Sequence, residues 1–233
     1  MHNWSGSKCL TSHDVLSYFR SGAFVSAAKR SIWTHMIAGR RAFLFTTAGL
    51  LFVRPARSEG MPIVSAVIDD LTQAPPKASI GTRWQMITDT VMGGVSKGEM
   101  VREIVAGRPA IRLRGDVSLE NNGGFVQIAL DLSPDGGPVD ASTWSGLELD
   151  VFGNSEEYAA HLRTSDLTRP WQSYRQSFKS FPRWQTVKLP FKHFSPNRTE
   201  IPLNVGRLRR FGLVAIGRAF SADIAISGLR FFR

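Results

Sequence analysis

Downstream of Arg83 the apolar residues fall into short runs separated by turn-forming clusters, and several runs alternate with polar residues. Leu147-Glu148-Leu149-Asp150-Val151 sets three aliphatics on one face, and Ile111-Arg112-Leu113-Arg114 repeats the device. Successive side chains of a strand point to opposite faces, so a period of two predicts strands with one buried face. The same reading gives strands over residues 100–105, 110–117, 124–130, 146–152, 159–163, 173–178, 184–189, 211–216 and 223–231. Helical periods are few; residues 156–160 read as a single helical turn. About 150 residues suffice for two sheets around one core. The pattern therefore predicts an all-β fold, a jelly-roll β-sandwich. Trp84, Trp144, Trp171 and Trp184 are expected to pack its core or to brace loops at its ends.

Upstream of this region the pattern changes. The apolar run 42–53 is too short to span a bilayer and suits the core of a signal peptide. It follows Gly39-Arg40-Arg41-Ala42-Phe43-Leu44, which resembles a twin-arginine export signature, and precedes Ala56-Arg57-Ser58, small residues of the kind a signal peptidase reads. Residues 1–58 are thus read as an N-terminal extension with an export signal, cleaved after Ser58 or, alternatively, at Ser65-Ala66. Residues 59–82, with Pro62, Pro75 and Pro76, read as a lead-in carrying one short strand near 63–68, and residues 83–233 as the sandwich. The expected location is the periplasm, with an organelle or thylakoid lumen as the alternative. Residues 1–35 are either a mis-assigned start or a transit peptide.

The net charge of +10 changes meaning once it is divided. Residues 1–58 hold eight Lys or Arg and one acid, Asp14, a net +7; residues 59–233 hold 21 basic and 18 acidic residues, a net +3. The body has no dense basic stripe, and Arg207, Arg209 and Arg210 alone do not make a nucleic-acid footprint. No nucleic-acid partner is expected. Cys9 is the single cysteine, so residues 59–233 hold no disulfide, thiolate nucleophile or cysteine metal site. Only His161 and His193 lie beyond the extension. Phosphate-binding loops, dinucleotide fingerprints and helical metal pairs are absent, no carboxylate pair marks a glycosidase, and no Ser–His–acid set is legible near His161. Neither a cofactor nor a metal is expected, and no enzymatic activity.

Two glycine-hinged segments carry the most information. Asp89-Thr90-Val91-Met92-Gly93-Gly94-Val95-Ser96 and Ser118-Leu119-Glu120-Asn121-Asn122-Gly123-Gly124-Phe125 each place a Gly-Gly pair beside side chains that bond their own backbone. Such segments specify turns with positive φ and close backbone approach. With Trp84 ahead of them, Trp184-Gln185-Thr186-Val187-Lys188-Leu189-Pro190-Phe191 and Phe194 after them, and Gly212-Leu213 and Phe220 to Ile226 at the end, they resemble the family of complex I intermediate-associated protein 30 (CIA30). The resemblance covers residues 83–232. It implies a galactose-binding-domain-like sandwich and a non-catalytic role in assembling a respiratory complex, with a membrane-complex subunit as protein partner. One departure follows residue 152, where a Gly-Asp-Gly-like turn is replaced by Gly153-Asn154-Ser155.

The residues of the two segments are read as structural: Asp89, Met92, Gly93, Gly94, Ser96, Glu120, Asn121, Asn122, Gly123, Gly124 and Phe125. The Asp89 carboxylate is expected to accept N–H groups of the Met92-Gly93-Gly94 turn, the alternative being a polar ligand or cation at a loop mouth. Asn121 and Asn122 either bond their own turn or recognise the hydroxyls of a sugar or the backbone of a partner. Glu120 is expected to pair across strands with Arg112 or Arg114. A second group, Arg163, Trp171, Tyr174 and Arg175, mixes rings and cations around an irregular loop. It reads equally as a binding site for a partner, sugar or small polar ligand and as a cation–π brace.

Overall fold

Alternation does become strands. The computed structural model describes residues 60–63 and 65–233; the expected export signal and cleavage after Ser58 lie outside the described residues. In chain order the strands are β1 Met61–Pro62, β2 Val67–Asp69, β3 Gln85–Thr88, β4 Lys97–Val105, β5 Arg108–Val117, β6 Phe125–Asp131, β7 Val139–Asp140, β8 Gly146–Gly153, β9 Glu157–Thr164, β10 Ser173–Lys179, β11 Gln185–Pro190, β12 Ser195–Asn197, β13 Leu208–Ile216 and β14 Phe220–Phe232. Among the described residues the helical elements are short 3-10 turns only.

Two sheets result. The larger has eight strands and runs β3-β6-β13-β9-β10-β12, with β7 and then β1 continuing at the Leu208 end of β13. The smaller has six and runs β11-β8-β14-β5-β4, with β2 also on β14. Every pairing is antiparallel except β1 with β7. Residues expected as a lead-in therefore supply strands to both sheets. The central positions belong to β13 and β14, which take antiparallel neighbours on both sides.

The core lies between the sheets. Val126, Ile128, Leu130, Phe211, Leu213 and Leu162 point into it from the larger sheet, and Ile111, Leu113, Leu147, Leu149, Ile224 and Ile226 from the smaller. Each such aliphatic or aromatic contributes about 1.5–3 kcal/mol by leaving water. Trp84 joins them edge-on to Phe211, at a centroid distance of 6.2 Å, and donates its indole N–H to Asp69 at 2.7 Å. The buried Asp69 carboxylate also accepts Leu71 N at 3.0 Å and Ser79 N at 3.2 Å, so it ties the entry of the sandwich together.

The outer face of the smaller sheet is neutralised by pairing. Arg112 grips Asp223 at 2.5 and 2.6 Å and Glu103 at 2.9 Å, Arg114 reaches Glu103 at 2.7 Å, and Arg230 binds Asp150 at 2.6 Å and also Glu148. These pairs correct the expectation for Glu120. β5 is flanked by β4 and β14, whose carboxylates meet Arg112 and Arg114 first, whereas Glu120 is exposed in a 3-10 turn beyond the end of β5. One further expectation fails. Residues 156–160 form no helical turn, because β9 is paired on both sides and Tyr158, Ala159 and Ala160 are buried whichever face they occupy. Trp184 lies outside the main core, packing with Phe152 in a small cluster on the outer face and donating at 3.1 Å to O of Val105, where β4 turns into β5. In the Gly153-Asn154-Ser155 turn, Asn154 donates to Ser221 O at 2.9 Å and accepts the Tyr158 hydroxyl at 2.8 Å, so an amide holds that corner.

Candidate functional site

The two glycine-hinged segments meet at one carboxylate. Asp89 opens the 3-10 turn Asp89–Met92 and is fully buried. Its Oδ1 accepts Ser96 N at 3.0 Å, and its Oδ2 accepts Gly124 N at 2.6 Å, Phe125 N at 3.3 Å and the Ser96 hydroxyl in a short bond. Burial alone would raise this carboxyl, but the bonds from Ser96, Gly124 and Phe125 outweigh it and hold Asp89 below the usual carboxylate range. Ser96 passes the link on, because its Oγ also accepts Ser118 N at 2.9 Å.

This arrangement differs from the expected one. The Met92-Gly93-Gly94 turn is closed by main-chain carbonyls, with Gly94 N on Asp89 O at 3.0 Å and Gly93 N on Thr90 O at 3.1 Å. The carboxylate is free to cross to the second segment. Two glycines make room for it: a Cβ on Gly94 would stand 2.3 Å from the Asp89 carboxyl carbon, and one on Gly123 2.5 Å from Oδ2. Asn121 and Asn122 take left-handed φ of 54° and 58°, which Asn tolerates, and their amides have no hydrogen-bond partner among the described residues.

The clamped segments build one wall of a cleft on the outer face of the larger sheet, with a volume of about 750 Å³. The floor follows from strand parity. Phe125 and Gln127 of β6, Gly212, Val214 and Ile216 of β13, His161 and Arg163 of β9, and Ser173 and Arg175 of β10 all face outward. Gly212 sits opposite His161, which sits opposite Arg175, and Arg210 sits opposite Arg163. The apolar wall carries Val91, Met92 and Leu119, which are 72%, 55% and 53% exposed. The far wall is the loop bearing Trp171, whose position is set by Gln172 N donating to Arg169 O at 3.2 Å and by Arg163 Nη2 donating to the same carbonyl at 3.0 Å.

Electrostatically the floor is one-sided. Among the described residues four arginines and a histidine line the cleft, and no carboxylate does. Arg210 is paired with Asp131 at 2.6 Å, while Arg163, Arg175 and Arg198 have no ion-pair partner among the described residues. His161 Nε2, Arg163 Nε and Arg175 Nε are buried with no hydrogen-bond partner among those residues. Burial, with the Arg175 charge beside it, pushes His161 down to about 3, so its imidazole is neutral near pH 7. Burial and then neighbouring arginines also lower Arg163 and Arg175 from the ordinary arginine range.

Of the four residues expected to bind, three meet here: Arg163, Trp171 and Arg175 line the cleft, with the Trp171 ring 50% exposed. Tyr174 does not. Adjacent residues of a strand face opposite ways, so with Arg175 outward Tyr174 is buried in the core, its hydroxyl donating to Pro202 O at 3.1 Å. Met92, expected as scaffold, is exposed on the rim, and Asn122 and Phe125 line the cleft from the same motif. His161, Arg198, Arg210 and Leu119 were not legible as site residues. The available signal was arginines at the outward positions 163 and 175, which share a strand face with His161 and have no acid beside them on their own strands. Among the described residues no cluster of three or more His, Cys, Asp or Glu could hold a metal ion.

The family described as complex I intermediate-associated protein 30 (CIA30) matches residues 76–225. No curated protein sequence matches the chain. Among solved structures, a family 11 carbohydrate-binding module from Clostridium thermocellum, in complex with a beta-1,3-1,4-mixed-linked tetrasaccharide, is similar with a TM-score of 0.57 at 13% identity, over 72% of this chain and 95% of that one. The family 11 module of cellulosomal cellulase Lic26A-Cel5E from the same organism gives 0.56 at 12% identity, over 73% and 95%. At such identities the likeness is one of fold, a two-sheet β-sandwich.

Proposed function

The chain belongs to the complex I intermediate-associated protein 30 (CIA30) family, and on that premise we propose that it is a non-catalytic interaction module. In this reading it recognises a subunit or assembly intermediate of a respiratory or other membrane complex through the cleft on its larger sheet. One observation carries the reading: an open cleft with exposed apolar side chains on one wall and, on its floor, Arg163 and Arg175 without an ion-pair partner among the described residues. Exposed apolar side chains gathered at one place, beside cations that the fold does not neutralise, are what a docking partner covers. With the leader read as an export signal, the client faces the outer side of an energy-transducing membrane.

Gly212 offers the test. A Cβ there would meet Gln127 and His161 first, at an ordinary van der Waals distance of 3.6–3.7 Å, so Gly212→Leu fills the floor from the solvent side and leaves the core untouched. The wild-type protein should co-purify from detergent-solubilised membranes with a subunit of a multi-subunit membrane complex, and Gly212→Leu should lose it while keeping the wild-type melting temperature. Equal recovery by both proteins would remove the cleft from the function.

A second reading has Trp171 in its favour. A half-exposed ring at a cleft wall can stack on a sugar, although Arg169 lies 5.9 Å from its centroid and competes for that face. A neutral glucan that binds the wild type and is lost on Trp171→Ala, with the fold retained, would move carbohydrate recognition to first place.

A further inference from the structure

We propose that the cleft takes an acidic–hydrophobic peptide segment of its partner: a side-chain carboxylate over Arg163 and Arg175, and an adjacent apolar side chain against Val91, Met92 and Leu119. The inference rests on the reading of the cleft as the binding surface and gives that surface a chemistry.

The two outer faces of the sandwich make the case by contrast. On the smaller sheet Arg112, Arg114 and Arg230 each hold a carboxylate supplied by a neighbouring strand. On the larger sheet Arg163, Arg175 and Arg198 hold none among the described residues, and Arg163 stands directly across from Arg210, whose own carboxylate is Asp131. Like charges directly opposite across a ladder destabilise a sheet, so the fold gains nothing from placing Arg163 there. A bound anion reverses the balance, because two guanidinium groups on adjacent strands can bind one carboxylate from both sides. Arg163 Nε and Arg175 Nε are buried without a partner among the described residues, which leaves these two cations short of counter-charge and of solvent alike.

The other half of the cleft fixes the remainder of the ligand. Its wall is apolar, with Val91, Met92 and Leu119, and the floor beneath adds Val214 and Ile216, a lining that suits a branched or flexible side chain better than the flat face of a sugar. Gln127 on the floor, Asn122 on the apolar wall and Gln172 on the far wall add amide groups that can meet a peptide main chain. A lipid or free phosphate would use the cations and leave those amides unmatched.

The test uses the whole protein and labelled short peptides that pair Glu or Asp with Leu or Phe at every spacing up to four residues, each with a Gln or Asn twin, titrated by fluorescence anisotropy. At least one acidic peptide should bind about tenfold more tightly than its amide twin, the worth of one charged hydrogen bond. Arg163→Gln and Arg175→Gln should each erase that preference, and added salt should weaken the acidic peptide more than the amide. Met92→Ser should weaken both twins equally. Acidic and amide twins binding alike, or no peptide binding at all, would overturn the proposal. So would tighter binding of phosphatidylglycerol vesicles, a polyuronate or single-stranded DNA than of any acidic peptide. Gly212→Leu separates the two levels: if it abolishes binding of twins that bind alike, the cleft stands as the surface and only its acidic preference falls. If it leaves peptide binding intact, the cleft itself is refuted.

Discussion

Asp89→Ala should lower the melting temperature by about 10 °C or more, the largest loss expected from any single change to the two glycine-hinged segments. The substitution strands the main-chain N–H groups of Ser96, Gly124 and Phe125 together with the Ser96 hydroxyl, all bound to the carboxylate in the intact protein. An orphaned buried donor costs about 1–3 kcal/mol, and with partial relaxation the sum is about 3–5 kcal/mol. Asp89→Asn should fall between, because it keeps one acceptor oxygen but turns an NH₂ toward N–H groups. The same bonds give a pH dependence whose sign is fixed. The carboxyl titrates lower in the folded protein than in the unfolded chain, so its contribution is complete above the unfolded value of about 3.9 and is lost as pH falls from there through the folded value. Chemical denaturation at several pH values checks this: the stability difference between wild type and Asp89→Ala should shrink on acidification below pH ~4. A difference that stays constant down to pH ~2 would mean that the ionised carboxylate is not what holds the segments.

Gly123→Ala should cost about 2–3 kcal/mol, and Gly94→Ala as much, because each added methyl enters the space of the Asp89 carboxyl group. A flexible side chain would normally swing away. This one is tied by four hydrogen bonds and cannot move without breaking them. The costs therefore overlap with that of losing Asp89. In a double-mutant cycle, Asp89→Ala combined with Gly123→Ala should be less destabilised than the two changes added separately, by at least ~1 kcal/mol. Strict additivity would show that Gly123 is needed for some reason other than the carboxylate.

How much of this was visible in the chain depends on whether one face of a strand meets water. Residues 147–151 and 111–114 alternate because their outer face is solvated and charged, and both became strands within a residue or two of the expected ends. The start of β9 hides its alternation because Ala159 lies under the cleft side while Ala160 faces the core, so both faces are apolar; residues 156–160 therefore read as a helical turn, while 159–163 read as a strand. The Gly-Gly segments were legible as tight turns; that Asp89 reaches across to Gly124, 35 residues away, was not, since each turn looked complete in itself. Parity would have separated Tyr174 from Arg175, for neighbours on one strand cannot line the same cleft. The site needed the topology: β6, the consecutive strands β9 and β10, and β13 are far apart in sequence, and only their order in the larger sheet brings Phe125, His161, Arg175 and Gly212 onto one floor.

That order also says something about synthesis. β13 and β14, the middle strands of the two sheets, leave the ribosome after every other strand of the sandwich. Until residues 208–232 emerge, β6 and β9 have nothing to pair with between them, and neither do β5 and β8. The nascent chain must therefore wait, with apolar strands uncovered, for these two strands. Closure of the sandwich is governed by long-range pairing and stays vulnerable to aggregation until they arrive. A ribosome that stops short of β13 releases a chain without the centre of either sheet, so premature termination yields no partially working fragment.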